Sequence, residues 1–227
     1  MFTYLFARRL PRSRIGGLPA AVAFTFSGYL TSYPPLQLAI LETQVWLPLI
    51  LLALDVAGGR WETGDARASI RWVLGAGLLL GVAFLAGQPQ SALLVTYAGL
   101  AYGLFRFWPR NVRTSKIGWR PWLRIAGVLA LFLAVGVGAV QLLPSVEFML
   151  LSTRTSLGFN EAGGGFMPFD LMQIILPAVA GQFSALYMGL IPLGLAGFAL
   201  IVARRDPSQP PGARSHSSAG RCWSASC

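Results

Sequence analysis

"IRWVLGAGLLLGVAFLAGQPQSALLVTYAGLAYGLFRF", residues 70–107, holds two apolar runs joined by one short polar turn. A helix needs about 20 mostly apolar residues to cross a bilayer. The first run, Ile70 to Gly87, and the second, Ser91 to Phe107, both come near that length. Arg71 stands at the head of the first and Arg106 at the end of the second, while the turn between them offers only Gln88, Pro89 and Gln90. Folded as a helical hairpin, the segment puts both arginines on one side of a membrane and both glutamines on the other. Gly77 and Gly81, then Gly99 and Gly103, recur at a spacing of four, which lines small residues along one helix face and lets two backbones approach. Such stripes speak of packing and carry no chemistry.

The same grammar extends outward. Further apolar runs cover Ile15 to Leu30, Leu36 to Leu54, Trp122 to Leu143 and Leu186 to Ala203. With the hairpin they predict an all-α, polytopic transmembrane bundle of about six spans. The first holds Gly16, Gly17, Pro19 and Gly28 and is the least regular. Pro48 and Pro192 are expected to kink their helices. A shorter apolar stretch, Phe169 to Ala180, reads as a re-entrant or interfacial helix. Composition agrees, with 55% hydrophobic and 11% charged residues in a chain of 227. A soluble domain of that size needs more polar surface to cover its core.

Charge fixes the expected orientation. If the spans alternate, seventeen of the eighteen basic residues fall on one face, in the segments before span one, between two and three, between four and five, and after six. The positive-inside rule makes that face cytoplasmic, with both termini on it. The net charge of +10 therefore belongs to loops between membrane spans, and no basic stretch interleaved with aromatics points to nucleic acid. On the outer face stand Glu42, Glu147, Glu161, Asp170 and one cation, Arg154. Cys222, Cys227 and His216 all lie near the C-terminus, so no disulfide framework, metal set or cofactor motif is visible.

Several polar residues are candidates for a site. Glu42 precedes Asp55 by thirteen residues, roughly 20 Å of helix. If the helix ends near Asp55, Glu42 lies inside the outer part of the hydrocarbon, where an ionisable group normally faces a cavity or partner; an interfacial helix with a wet Glu42 is the alternative. Gln88 and Gln90 suit sugar hydroxyls, or merely a solvated turn. Pro144 is placed to begin a new helix reaching about Ser152. Glu147 and Arg154 are seven residues apart and would share a face if that helix continued, roughly 10.5 Å apart along its axis. "EAGGGFMPFD", residues 161–170, reads as a connector or a mobile loop over a site.

The ends read differently from the middle. Residues 1–14, opening "MFTYLFARRL", look like the cytoplasmic end of a preceding helix, with a secretory signal as the alternative. Residues 15–203 form the expected transmembrane domain, with its outer segment at 144–182. The tail, 204–227, runs "DPSQPPGARSHSSAGRCWSASC" from Asp206 and lacks Leu, Ile, Val, Phe and Met. It reads as a disordered cytoplasmic tail or as a frame-shifted end.

The stretches "YLFARRLPRSRIGGLPAAVAFTFSGYL", "ETQVWLPLILLALD", "FLAGQPQSALLVTYAGLAYGL", "QLLPSVEFMLLSTRTSLGF", "IILPAVAG" and "LYMGLIPLGLAGFAL" follow in order across residues 3 to 203. Together they resemble the YfhO-like bacterial membrane proteins, placed with the GT-C glycosyltransferases. The resemblance implies a multi-pass protein of the bacterial cell membrane that moves a sugar from a polyprenyl-phosphate donor to a cell-envelope glycan on the outer face. It also implies that the loop carrying the family's catalytic acid, which acts as base or holds a divalent metal, precedes Met1. No residue here matches that acid, so whether this chain catalyses alone stays open. Where the family carries a histidine before the Pro-Gln of the hairpin, this chain has Gln88. An arginine fork suits phosphate oxygens, which assigns the donor phosphate to Arg154 and the cavity lining to Glu147, Glu42 and Gln90. A transporter or flippase of lipid-linked sugars, and a non-catalytic scaffold or gene remnant, are the competing readings.

Overall fold

A computed structural model describes residues 1–10, 14–32, 38–108, 120–152, 168–176 and 186–205. Among these the secondary structure is entirely helical: α1 (Phe2–Arg9), α2 (Arg14–Thr25), α3 (Gly28–Ser32), α4 (Leu38–Gln44), α5 (Leu47–Glu62), α6 (Ala66–Leu85), α7 (Pro89–Phe107), α8 (Arg120–Leu151), a 3-10 helix at Pro168–Ile174, and α9 (Leu190–Arg205). Three helical segments are long and apolar enough to cross a membrane, namely Leu38–Glu62, Ala66–Leu85 and Pro121–Leu151. Of the other expected spans, α7 has 19 residues but is less apolar, carrying Gln90, Arg106 and two tyrosines. The remaining two are shorter, α2 with 12 residues and α9 with 16. Where a re-entrant helix is expected, the described part, residues 168–174, is a single 3-10 segment.

The chain divides into two compact units, the first holding α1 to α3 and α9, the second α4 to α8. In the first unit the expected span Ile15–Leu30 is two helices. The Gly28 amide donates to the Tyr187 carbonyl at 2.7 Å, so it does not continue the α2 ladder. Gly17 is buried where α2 crosses α1, and a Cβ there would stand 3.0 Å from the Arg8 amide nitrogen.

In the second unit, short turns make α5, α6 and α7 antiparallel in succession. Asp65 caps α6, its carboxylate accepting from the Ala68 amide at 3.1 Å. At the other end Gly87, with φ of 82°, stops α6, and Pro89 opens α7 two residues later. A left-handed glycine after one helix and a proline at the first position of the next is a favourable pair of punctuation marks. Pro48 likewise lies in the first turn of α5, and Pro192 in that of α9, where a missing N–H costs no helical bond.

Facing residues set the register. Along α5 and α7 the neighbours run Ile50–Gly99, Leu54–Gly103 and Gly58–Arg106. Along α6 and α8 they run Gly77–Ala130, Gly81–Ala134 and Phe84–Gly138. Both pairs are therefore parallel. The α6–α8 contact is the closer: a Cβ on Gly77 would meet the Ala130 carbonyl oxygen and come within 2.6 Å of its Cα. Opposite this stripe α8 presents Ala126, Ala130, Ala134 and Gly138, all buried and four residues apart. Gly99 and Gly103 meet only side-chain methyls at 3.6 and 3.9 Å, so that stripe makes ordinary contact and no backbone approach. Small residues also dominate the two buried clusters, one around Ala53, Ala76, Ala92 and Val95, the other around Ala57, Val73 and Ala126. Where lipid is as apolar as leucine, close packing of this kind is what holds helices together.

Two expectations about helix ends are corrected. α5 does not stop near Asp55 but continues seven residues to Glu62. Pro144 does not begin a helix; it sits inside α8, which runs unbroken to Leu151. Pro144 removes only the bond to the Val140 carbonyl, and one residue on, the Ser145 hydroxyl donates to the Gln141 carbonyl at 2.7 Å.

Candidate functional site

Glu42 is exposed on α4. Beside it lies an open groove of about 450 Å³, lined by Leu41, Val45, Trp46, Val82, Leu85 and Ala86. Glu42 is the charged residue of that lining, and the rest is apolar. The lining also places Glu42 level with the last turn of α6, at the end of the unit where the α6–α7 hairpin turns. Because α5 runs to Glu62, the distance from Glu42 to the far end of the segment is twenty residues, roughly 30 Å of helix. That is the thickness of the hydrocarbon core. A span that ended at Glu62 would leave Glu42 at the membrane edge, so the depth reckoned from Asp55 no longer requires it inside the hydrocarbon; the carboxylate is exposed, with an apolar groove at its foot.

The hairpin is organised by a residue from a third helix. The Gln141 amide of α8 lies over Gly87, its Nε2 3.5 Å from where a Cβ would stand. Gln88 is the N-cap residue of α7 without a side-chain cap, and Gln90 is exposed in the first turn. Glu147 is exposed on α8, about 9 Å along the axis beyond Gln141. No described contact joins Glu42, Gln90 and Glu147 to one another. Arg154 and Glu161 lie outside the described residues, as do His216, Cys222 and Cys227. Among the described residues, no three of His, Cys, Asp and Glu converge as metal ligands. In the 3-10 helix, the side-chain carbonyl oxygen of Gln173 is buried with no hydrogen-bond partner among the described residues, at a cost of about 1–3 kcal/mol unless a ligand or water meets it.

At the opposite end of the unit stands a cluster that sequence reasoning missed. Arg106 of α7 donates from Nε to Asp55 Oδ1 at 3.1 Å and from its NH2 group to Glu62 Oε2 at 3.1 Å. The Tyr102 hydroxyl donates to the same Asp55 oxygen at 3.3 Å. The Arg106 and Asp55 side chains are 16% and 13% exposed, whereas Glu62 is 64% exposed. Gly58, one turn beyond Asp55, has no side chain because the guanidinium lies there: a Cβ would fall 2.6 Å from Arg106 Cγ and 2.8 Å from Cζ. A signal was available. Asp55, Gly58 and Glu62 share one face of a helix, as do Tyr102 and Arg106. Ending the helix near Asp55 hid the first face, and counting Arg106 as a loop cation hid the second.

Three apolar helices of spanning length, packed on small residues, fit the class of α-helical membrane proteins by length and composition. No protein-family model, curated protein or solved structure matches the chain.

Proposed function

We propose that the chain is the membrane-embedded part of a GT-C-type glycosyltransferase, taking sugar from a polyprenyl-phosphate donor at the outer face and passing it to a cell-envelope glycan. In this reading α7, lying parallel beside α5, is a further span, and the end bearing Arg60, Arg67, Arg71, Arg106 and Arg124 faces the cytoplasm. The observation that carries the proposal is the apolar groove with Glu42 at its rim. An isoprenoid tail is matched by the groove, and sugar hydroxyls by a carboxylate that only accepts hydrogen bonds. Glu42 repels the donor phosphate, which is assigned to Arg154. In the reaction a bond forms between an acceptor oxygen and the anomeric carbon while the anomeric bond to phosphate breaks. The polyprenyl phosphate leaves, and the acceptor proton passes to a base that no described residue is assigned to supply.

A flippase or proton-coupled transporter would use Glu42 as an intramembrane site. An exposed Glu42 at the rim of an apolar groove supports the transferase reading instead.

The test is photolabelling of the chain, reconstituted in vesicles, with a polyprenyl phosphate bearing a photoreactive isoprenoid tail. Labels are expected on Val45, Trp46 and Leu85, and Ala86→Phe, which fills the groove, should lower labelling about tenfold. Glu42→Gln should weaken retention of the sugar-bearing probe while leaving the sugar-free probe unchanged. Labelling that a photoreactive phospholipid reproduces, or that Ala86→Phe leaves intact, removes the groove from the account.

A further inference from the structure

At the basic end of the second unit not every arginine is spoken for. Arg106 is held by two carboxylates, and Arg60 lies 3.9 Å from Asp65. Arg67 and Arg71 on α6 and Arg124 on α8 are exposed and make no ion pair among the described residues. Arg67 and Arg71 are one turn apart, and the stripe they begin continues to Leu78, which is exposed. Arg124 begins a similar stripe, through Val128 and Val135, also exposed. Each cation therefore stands at the head of an apolar strip on the outside of the bundle. α6 and α8 are parallel neighbours, so both strips begin at the same end. Trp72, Trp108 and Trp122 are exposed at that level too, 44%, 68% and 56% respectively, where indole rings favour the headgroup region.

We infer that this end is a binding surface for anionic phospholipids, with Arg67, Arg71 and Arg124 taking headgroup phosphates and the strips beneath them taking acyl chains. The continuity of cation with apolar strip selects the partner. A nucleic acid or an acidic protein uses the charge and leaves the strip bare, whereas a phospholipid carries an anion and a hydrocarbon chain in the same order. The arginine fork adds directed hydrogen bonds to phosphate, and each cation near an anionic surface strengthens association about fivefold.

Tryptophan quenching reads this directly. The chain is reconstituted in phosphatidylcholine vesicles containing a minor fraction of phosphatidylglycerol, with one lipid or the other brominated near its headgroup. At low salt the anionic lipid is expected to quench as though enriched about tenfold or more around the protein. Arg67→Gln, Arg71→Gln and Arg124→Gln together should lower the ratio severalfold. Molar salt should do the same to the unaltered chain, since the screening length falls to about 3 Å. Excess inorganic phosphate should leave the low-salt ratio unchanged, because a free anion lacks the chains. A ratio near one in the unaltered chain overturns the inference. So does an undiminished ratio in the triple variant, or competition by inorganic phosphate. If the triple variant fails to insert, the salt titration decides, and a salt-insensitive ratio overturns it.

Discussion

Gly77→Leu is expected to detach α8 from α6 and unfold the second unit, while Gly75→Leu, two residues away on the same helix, leaves it intact. Nothing lies within 4 Å of the position a Cβ would take on Gly75, whereas at Gly77 it would meet backbone atoms of Ala130. A neighbouring side chain can rotate away from a new methyl group, but a neighbouring backbone cannot move without taking its helix along. Overpacking a well-fitted contact typically costs about 1–3 kcal/mol. A leucine forced against a backbone belongs at or beyond the upper end of that range. Gly75→Leu should leave stability unchanged or raise it by up to about 1 kcal/mol, since leucine is the better helix former and meets nothing there. Gly77→Ala makes the sharper comparison with Gly75→Ala: alanine is intrinsically the better helix former by about 1 kcal/mol, so a loss at Gly77 alone isolates the contact. Equilibrium unfolding in mixed micelles, followed by helical circular dichroism, measures all four variants.

Arg106→Gln is expected to cost about 3–5 kcal/mol, the second large effect. It takes from the mostly buried Asp55 carboxylate a cation whose Nε lies 3.1 Å from it. Tyr102 still donates to Asp55 but cannot neutralise it. Replacing both partners, Asp55→Asn with Arg106→Gln, should recover most of the loss, because the penalty comes mainly from a buried carboxylate that has lost a neighbouring cation. Glu62→Gln should cost under about 1 kcal/mol, since that carboxylate is mostly in solvent. The same unfolding assay, run as a double-mutant cycle, separates these outcomes. A double variant as unstable as Arg106→Gln alone would show that the cluster acts through packing on Gly58 and not through charge.

These two sites also show what sequence can reveal. The stripes Gly77/Gly81 and Gly99/Gly103 look alike when written out, yet only the first is a backbone approach. The difference lies in the partner: α8 offers alanines and Gly138 to the first, α5 offers Ile50 and Leu54 to the second. Spacing within one helix cannot name the residue that faces it. The end of α5 was misread for a similar reason. Asp55 followed by Ala57, Gly58 and Gly59 resembles a helix terminus, but Arg106 arrives from a helix some fifty residues later, and the small residues make room for it. That correction removes the depth argument for Glu42, which was measured from the wrong end. Helical class and the three longest apolar segments were legible because a bilayer demands a continuous apolar run that periodicity cannot hide. The candidate site was legible only in part. Glu42 could be picked out as an isolated charge, but its groove is made with Val82, Leu85 and Ala86 of another helix.

The account rests on the α6–α7 hairpin turning outside the membrane and the α5–α6 turn lying inside it. Single cysteines at the exposed positions Gln90 and Thr63, in chains whose Cys222 and Cys227 are replaced by serine, test this with a membrane-impermeant maleimide on intact cells. The expected result is labelling of Gln90→Cys at once and of Thr63→Cys only after permeabilisation. Labelling of both from the same side, or of Thr63→Cys alone, would contradict the account.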